Sequence, residues 1–238
     1  MQKEVVVTAN KVRKRKKLGR IVRISLLVLL LFLIVIYIIL QVIYGNGRFT
    51  VSLDSNETLE SGIAIYEHLD DPIGKRKLFA DELPFMDNIS YKWLPEDLTK
   101  YEGSHNGDNY IAYSFYIENQ GSEILNYWYE VEIKDVIKNV DEAIRILIIK
   151  NDEEKVYAKV NPLNKEAEVG TIPFKDDKII ILEQRQKFNP GDIDKFTIVM
   201  WLEGDDPECV DSLIGGELKV LMNIREEHIG LNKKVGGK

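Results

Sequence analysis

One cysteine, Cys209, and three histidines, His68, His105 and His228, are all the thiol and imidazole that this chain of 238 residues contains. A single thiol excludes an intramolecular disulfide and any structural zinc site built on cysteine pairs. The histidines are far apart and sit in unlike contexts. The His-Glu-x-x-His arrangement of zinc proteases, two imidazoles one helical turn apart with a carboxylate base between them, is therefore absent. No Gly-x-Ser-x-Gly elbow occurs, and Cys209 has no base beside it. Positive charge is scarce over most of the chain: residues 45–238 carry 23 Lys/Arg against 38 Asp/Glu, a net charge of −15. Phosphate neutralisation needs clustered Lys/Arg, which argues against nucleic acid as a partner. Helical periodicity is weak and no internal repeat is visible. A non-enzymatic protein is expected.

The positive charge that exists crowds into the beginning of the chain. Residues 1–44 hold nine Lys/Arg, among them Lys11, Arg13, Lys14, Arg15, Lys16 and Lys17, against one acid, Glu4. They lead into "IVRISLLVLLLFLIVIYIILQVIY", Ile21 to Tyr44, where only Ser25 interrupts the apolar residues between Ile24 and Leu40. A bilayer core takes about 20 apolar residues as a helix. Positive charge ahead of such a run predicts a cytoplasmic N-terminus, with the remainder of the chain outside. The same cluster suits anionic lipid headgroups. A cleaved signal peptide has a shorter apolar region and a small-x-small site after it; "QVIYGNG" offers none, so an uncleaved anchor is expected. The organisation read from these features is a basic cytoplasmic tail over 1–20, a transmembrane helix over 21–44 and an extracytoplasmic domain over 45–238.

That domain reads as all-β. Alternating runs rich in Tyr, Phe, Ile and Val recur as "RFTVSL" (48–53), "GIAIYEH" (62–68), "NYIAYSFYIEN" (109–119), "EILNYWYEVEI" (123–133), "KIIILEQ" (178–184), "KFTIVMWLE" (195–203) and "GELKVLMNI" (216–224). "EAIRILIIKN" and "EKVYAKV" read as a hairpin about Asn151-Asp152. Phe196, Ile198, Met200 and Leu202 share one face of their strand, as do Leu218, Val220, Met222 and Ile224 of theirs. Strands at such intervals, with Gly, Pro and Asn turns, predict an antiparallel β-sandwich of jelly-roll or Ig-like type. Residues 69–107, with Pro72, Pro84 and Pro95, predict an irregular insertion holding a short strand at "NISYKW" (88–93). Short helices fit 95–101 and 136–145.

Two groups of side chains are candidates for binding. Glu203, Asp205, Asp206, Glu208 and Asp211, within "WLEGDDPEC" and just after it, offer the oxygen ligands Ca²⁺ accepts, although their spacing is not that of an EF-hand. The plainer reading is a solvated acidic rim in which Gly204 lets the chain leave its strand at positive φ and Cys209 packs as a small hydrophobe. Tyr91, Trp93 and Tyr101 give the insertion aromatic surface for a ligand or carbohydrate. Glu67-His68-x-Asp70-Asp71 reads as a charged strand end rather than a metal site.

"NPGD" (189–192), "WLEGDDPEC" (201–209) and "IGGELKV" (214–220), with "FYIENQGSE" (115–123), resemble the camelysin/TasA-like family of exported bacterial proteins. The resemblance implies a jelly-roll domain and, from TasA-like members, surface or matrix subunits that polymerise by lending a strand to the next copy. Phe49, Val51 and Leu53, next to the membrane exit, are then the expected donor, and copies of the chain or related surface proteins the expected partners. Camelysin has been described as a surface metalloprotease, a reading that the missing zinc motif argues against here. The retained anchor and the 69–107 insertion depart from the family pattern.

Overall fold

The computed structural model describes residues 9–43, 49–54 and 62–228. They belong to two units, residues 1–46 and 47–238, treated separately below. The first is one helix, α1, Ala9–Ile43. Its segment Lys17–Ile38 has a mean hydropathy of 3.0 and none of it is buried, so it is long and apolar enough to cross a membrane. The helix begins inside the basic stretch, and the side chains of Lys11, Arg13, Lys14, Arg15 and Lys16 lie outside the described part, as does the whole of the expected exit Gly45-Asn46-Gly47.

The second unit is the expected all-β sandwich. One sheet contains β1 (Phe49–Asp54), β3 (Lys77–Phe79), β6 (Leu125–Ile137), β10 (Ile179–Phe188) and β12 (Glu217–His228), in the order β10-β6-β12-β1-β3. The other contains β2 (Ile63–Tyr66), β5 (Ile111–Asn119), β7 (Ile144–Lys150), β8 (Glu153–Ala158), β9 (Ile172–Pro173) and β11 (Ile193–Leu202), in the order β2-β5-β11-β7-β8-β9, with β4 (Gly103–Ser104) also paired to β5. Most pairs are antiparallel. The exceptions are β1 with β12 and β8 with β9, so both sheets are mixed.

The alternation in the sequence decides which residues meet between the sheets. Phe196, Ile198 and Met200 of β11 and Val220, Met222 and Ile224 of β12 are buried in one core, with Leu202 and Leu218 at its margin. The rings of Phe115 and Phe196 stack there, their centroids 5.5 Å apart. Asn151, at φ 55°, turns the β7–β8 hairpin, and its side chain bonds Lys195 N at 2.9 Å and Asp194 at 3.1 Å. Pro190-Gly191 makes the turn into β11, with Asp192 N donating to the Asn189 carbonyl at 3.0 Å.

The outward face of the second sheet is covered by the 69–107 insertion. Trp201, fully buried, meets Ile89, Leu98, Ala112, Leu147, Ile149 and Val199 there in a second apolar cluster. Two expectations for this region need correction. "NISYKW" is not a strand: Ile89 alone bridges to Glu203, and Tyr91–Trp93 forms a 3₁₀ turn, because the segment serves as a lid over Trp201 instead of joining a sheet edge. A strand does form within the insertion at β3, where only Leu78 of three residues is buried. The short helices expected in 95–101 and 136–145 are present as 3₁₀ turns at Leu98–Lys100 and Val140–Glu142.

Replacing Trp201 by Ala removes the floor of that second cluster while leaving the core between the sheets intact. The expected cost is about 3–5 kcal/mol, read by denaturant unfolding, with limited proteolysis cutting first within 69–107.

Candidate functional site

Arg145 organises the acidic loop that follows β11. It interrupts the apolar run of β7 and is itself buried, at 5% exposure. A guanidinium removed from water needs a partner, and the Asp206 carboxylate, with a fully buried side chain, meets its Nη2 at 2.5 Å. Glu168, from the loop between β8 and β9, lies 3.8 Å from the same nitrogen. Asp206 also shapes the turn: its Oδ1 accepts from Glu208 N at 2.9 Å and its carbonyl from Cys209 N at 3.0 Å.

The five acidic residues therefore have separate tasks. Glu203 Oε2 accepts from Trp201 Nε1 at 3.0 Å and from Tyr91 N at 3.1 Å, which fastens the insertion to the end of β11. Asp205 accepts from Ser90 Oγ at 3.2 Å. Asp211, itself exposed, opens a 3₁₀ turn, Asp211–Leu213, that buries Leu213. Only Asp206 and Glu208 converge, joined by Glu168, with one oxygen of each within 4.8 Å of the others. These three are the described residues that could hold a cation, and any cation there competes with the Arg145 guanidinium. Glu168, distant in sequence in a polar loop, carries no local signal that would have placed it in this group. A hydrogen bond with Asp206, then burial, raises the Glu208 carboxyl above its ordinary value.

Gly204 is not at positive φ, contrary to expectation; a Cβ there would come within 2.7 Å of Asn88 Oδ1, the end of an exposed side chain where the insertion crosses the loop. The positive φ falls instead at Gly215, at 74°, just before β12. Cys209 is half-buried beside Val140, Ala143 and Leu213, and burial followed by Asp206 pushes its thiol up, the direction of an unreactive cysteine.

The aromatic residues of the insertion do not form one surface. Tyr91 lies against Trp201 with ring centroids 5.9 Å apart, and Tyr101 stacks on His105 at 5.3 Å and bonds Asp97. Trp93 is 68% exposed. The Glu67-His68 segment is tied up in ion pairs: Lys75 reaches Glu67 at 3.2 Å and Asp71 at 3.6 Å, while His68 Nδ1 is 3.3 Å from Glu102.

Phe49, Val51 and Leu53 lie within the domain's own first sheet. β1 runs parallel to β12, Phe49 opposite Val220 and Leu53 opposite Ile224, and antiparallel to β3, Val51 opposite Leu78. All three side chains are buried in the core between the sheets, each a burial of about 1.5–3 kcal/mol. On the opposite edge, the ten residues of β10 pair, among the described residues, with β6 alone.

No family model matches the chain, and a search of curated proteins returns no match. Among solved structures, the N-terminal domain of PorA is 8% identical, over 69% of this chain and 96% of that one, with a TM-score of 0.24. A β-glucosidase from Kluyveromyces marxianus in complex with glucose is 10% identical, over 70% of this chain and 15% of that one, also with a TM-score of 0.24. At those scores neither likeness carries an argument about fold or function.

Two outcomes follow from the Arg145 cluster. Arg145→Met leaves the buried Asp206 uncompensated and is expected to cost about 3–5 kcal/mol, most of it regained in Arg145→Met/Asp206→Leu; chemical denaturation measures both. A carboxyl whose folded value is raised binds protons more tightly in the folded state. The Glu208 contribution is thus complete below the ordinary value of 4.5 and lost as pH rises through its raised value. Glu208→Gln should flatten that fall in a melting-temperature profile against pH.

Proposed function

We propose that this chain is a non-enzymatic, membrane-anchored surface protein whose extracytoplasmic β-sandwich links to other copies, or to related surface proteins, by β-strand addition. Helix α1 supplies the anchor, and the nine Lys/Arg between Lys3 and Arg23, ahead of its unbroken apolar part, favour a cytoplasmic N-terminus with the sandwich outside. The observation that carries the reading is the position of β1. It is the described strand nearest the anchor in sequence, six residues long, bonded along its length to β12 and on its other side only to the three residues of β3. Leaving its own sheet would open a groove between β12 and β3, floored by the residues that now meet Phe49, Val51 and Leu53. The β1 of a second copy has the same sequence and fills that groove with the same contacts, so exchange between copies conserves the ladder and the burial.

A second reading, a ligand- or carbohydrate-binding module working through the insertion, is supported by the exposure of Trp93, with Tyr91 at 46% and Tyr101 at 48%. It predicts a stable monomer whose 69–107 segment gains protease protection from ligand. A camelysin-like protease would need a metal-bound water, and among the described residues the one cluster able to hold a metal is the carboxylate group around Arg145, with no histidine in it.

Cross-linking separates these readings. Thr50 and Leu221 are direct partners across β1 and β12, so the full chain carrying Thr50→Cys, Leu221→Cys and Cys209→Ser is oxidised in membranes at low and high surface density. Strand lending predicts disulfide-linked dimers and ladders at high density, and loss of assembly once the intramolecular bridge has been closed first. A purely intramolecular bridge at every density would contradict it.

A further inference from the structure

The outer face of the five-stranded sheet bears a cavity that strand lending does not use. Pairing across β10, β6 and β12 places Gln184, Trp128 and Arg225 side by side. The next row on the same face is Leu182, Glu130 and Asn223. With Glu226 and Glu227, five of these six line a cavity of about 430 Å³, and Gln184 stands beside it. That volume is of the order of small-ligand sites, roughly 300–1,000 Å³.

Its polar groups are unequally engaged. Trp128, 36% exposed, is fixed by its Nε1, which donates to Glu227 Oε2 at 3.0 Å. Gln184 Nε2 donates to the same oxygen. Glu226 accepts from Gly62 N at 3.0 Å, and Asn223 Nδ2 donates to Glu132 at 3.0 Å, leaving its carbonyl oxygen. Arg225 is braced by Asp54 at 3.3 Å, yet its side chain stays 62% exposed. The half-buried Glu130 carboxylate has no hydrogen bond or ion pair among the described residues.

We propose that this face binds a neutral saccharide unit of a polysaccharide, with Trp128 stacking on the sugar ring and Glu130, Asn223 and Arg225 bonding its hydroxyls. A held indole beside Leu182 offers a flat apolar floor suited to the C–H face of a pyranose. Hydroxyl groups both donate and accept, and they need acceptors and donors close together, which a free carboxylate, a carboxamide oxygen and an exposed guanidinium provide. Three lining carboxylates against one Arg225 repel an anionic ligand. A basic ligand finds two of those carboxylates already bonded and Arg225 opposed to it. The neutral polyol is what remains matched. Every lining residue lies on β6, β10 or β12, and the link to β1 is the Asp54 brace on Arg225, which the β1 of a second copy would supply equally.

The full chain in detergent micelles is titrated with cellohexaose, laminarihexaose and chitohexaose, reading tryptophan emission, with polygalacturonate and poly-lysine as charged comparisons. At least one hexasaccharide should shift the emission and bind. Trp128→Ala should weaken that binding about tenfold or more, Glu130→Gln should weaken it severalfold, and Trp93→Ala should leave it unchanged. Glu130→Gln, nearly isosteric, carries the test if Trp128→Ala fails to fold. The proposal is overturned if no hexasaccharide binds, if Glu130→Gln and a folded Trp128→Ala bind as the parent does, if the loss follows Trp93→Ala, or if a charged polymer is preferred.

Discussion

The parallel ladder between β1 and β12 is the interaction on which the rest of the domain depends. It joins residue 49 to residue 220, so the first and the last of the described strands close one sheet together. Such a contact is costly to form early, because a loop of most of the domain must close before it yields any burial. Once formed, it seats Phe49, Val51 and Leu53 in the core and leaves β3, three residues long, as the sheet's edge. β1 is held on one side by a six-residue ladder to β12 and on the other by the three residues of β3, and it is the described strand nearest α1 in sequence. Stability and the proposed lending of β1 thus draw on the same residues.

Around that sandwich the polar groups are spent on holding loops. Asp194, 3% exposed, gathers the hydroxyl of Tyr127, the amide of Asn151 and Nε of Arg185, with Lys150 Nζ 3.7 Å away. Lys150 in turn lies over the rings of Tyr129, at 5.0 Å, and Tyr127, at 5.5 Å. Arg145 and Asp206 do the equivalent work for the turn that returns the chain to β12. In each case a buried charge is compensated by several partners, the condition under which burial of an ion is tolerated. The outer face around Trp128 differs, because there a carboxylate and a guanidinium are left turned toward solvent.

Much of this architecture was readable from local patterns. The apolar run from Leu26 to Leu40 reads as a segment long enough to cross a membrane, alternation along Phe196–Leu202 and Leu218–Ile224 identifies the core faces, and Asn151-Asp152 marks a hairpin. What could not be read depends on partners remote in sequence. Arg145 sits in an apolar strand with nothing nearby to announce Asp206 or Glu168. Gly204 looks like a conformational requirement, yet the positive φ belongs to Gly215, and the neighbour of Gly204 is Asn88 from the insertion. The contacts of Tyr91 with Trp201 and of Tyr101 with His105 are likewise unannounced by any local pattern, although both tyrosines stay about half exposed. Trp128 and Arg225 become neighbours only once β6 and β12 are known to pair, which no short-range signal states.

Amide exchange across Phe49–Asp54, in the full chain held in lipid, tests the central claim most directly. If β1 is the exchangeable strand, its amides in dilute, unassembled protein exchange by local opening, far faster than those of β5 and β11. They slow toward the β11 rate as copies are brought together. Exchange of β1 as slow as that of β11 in the isolated chain, and unchanged on crowding, would contradict it.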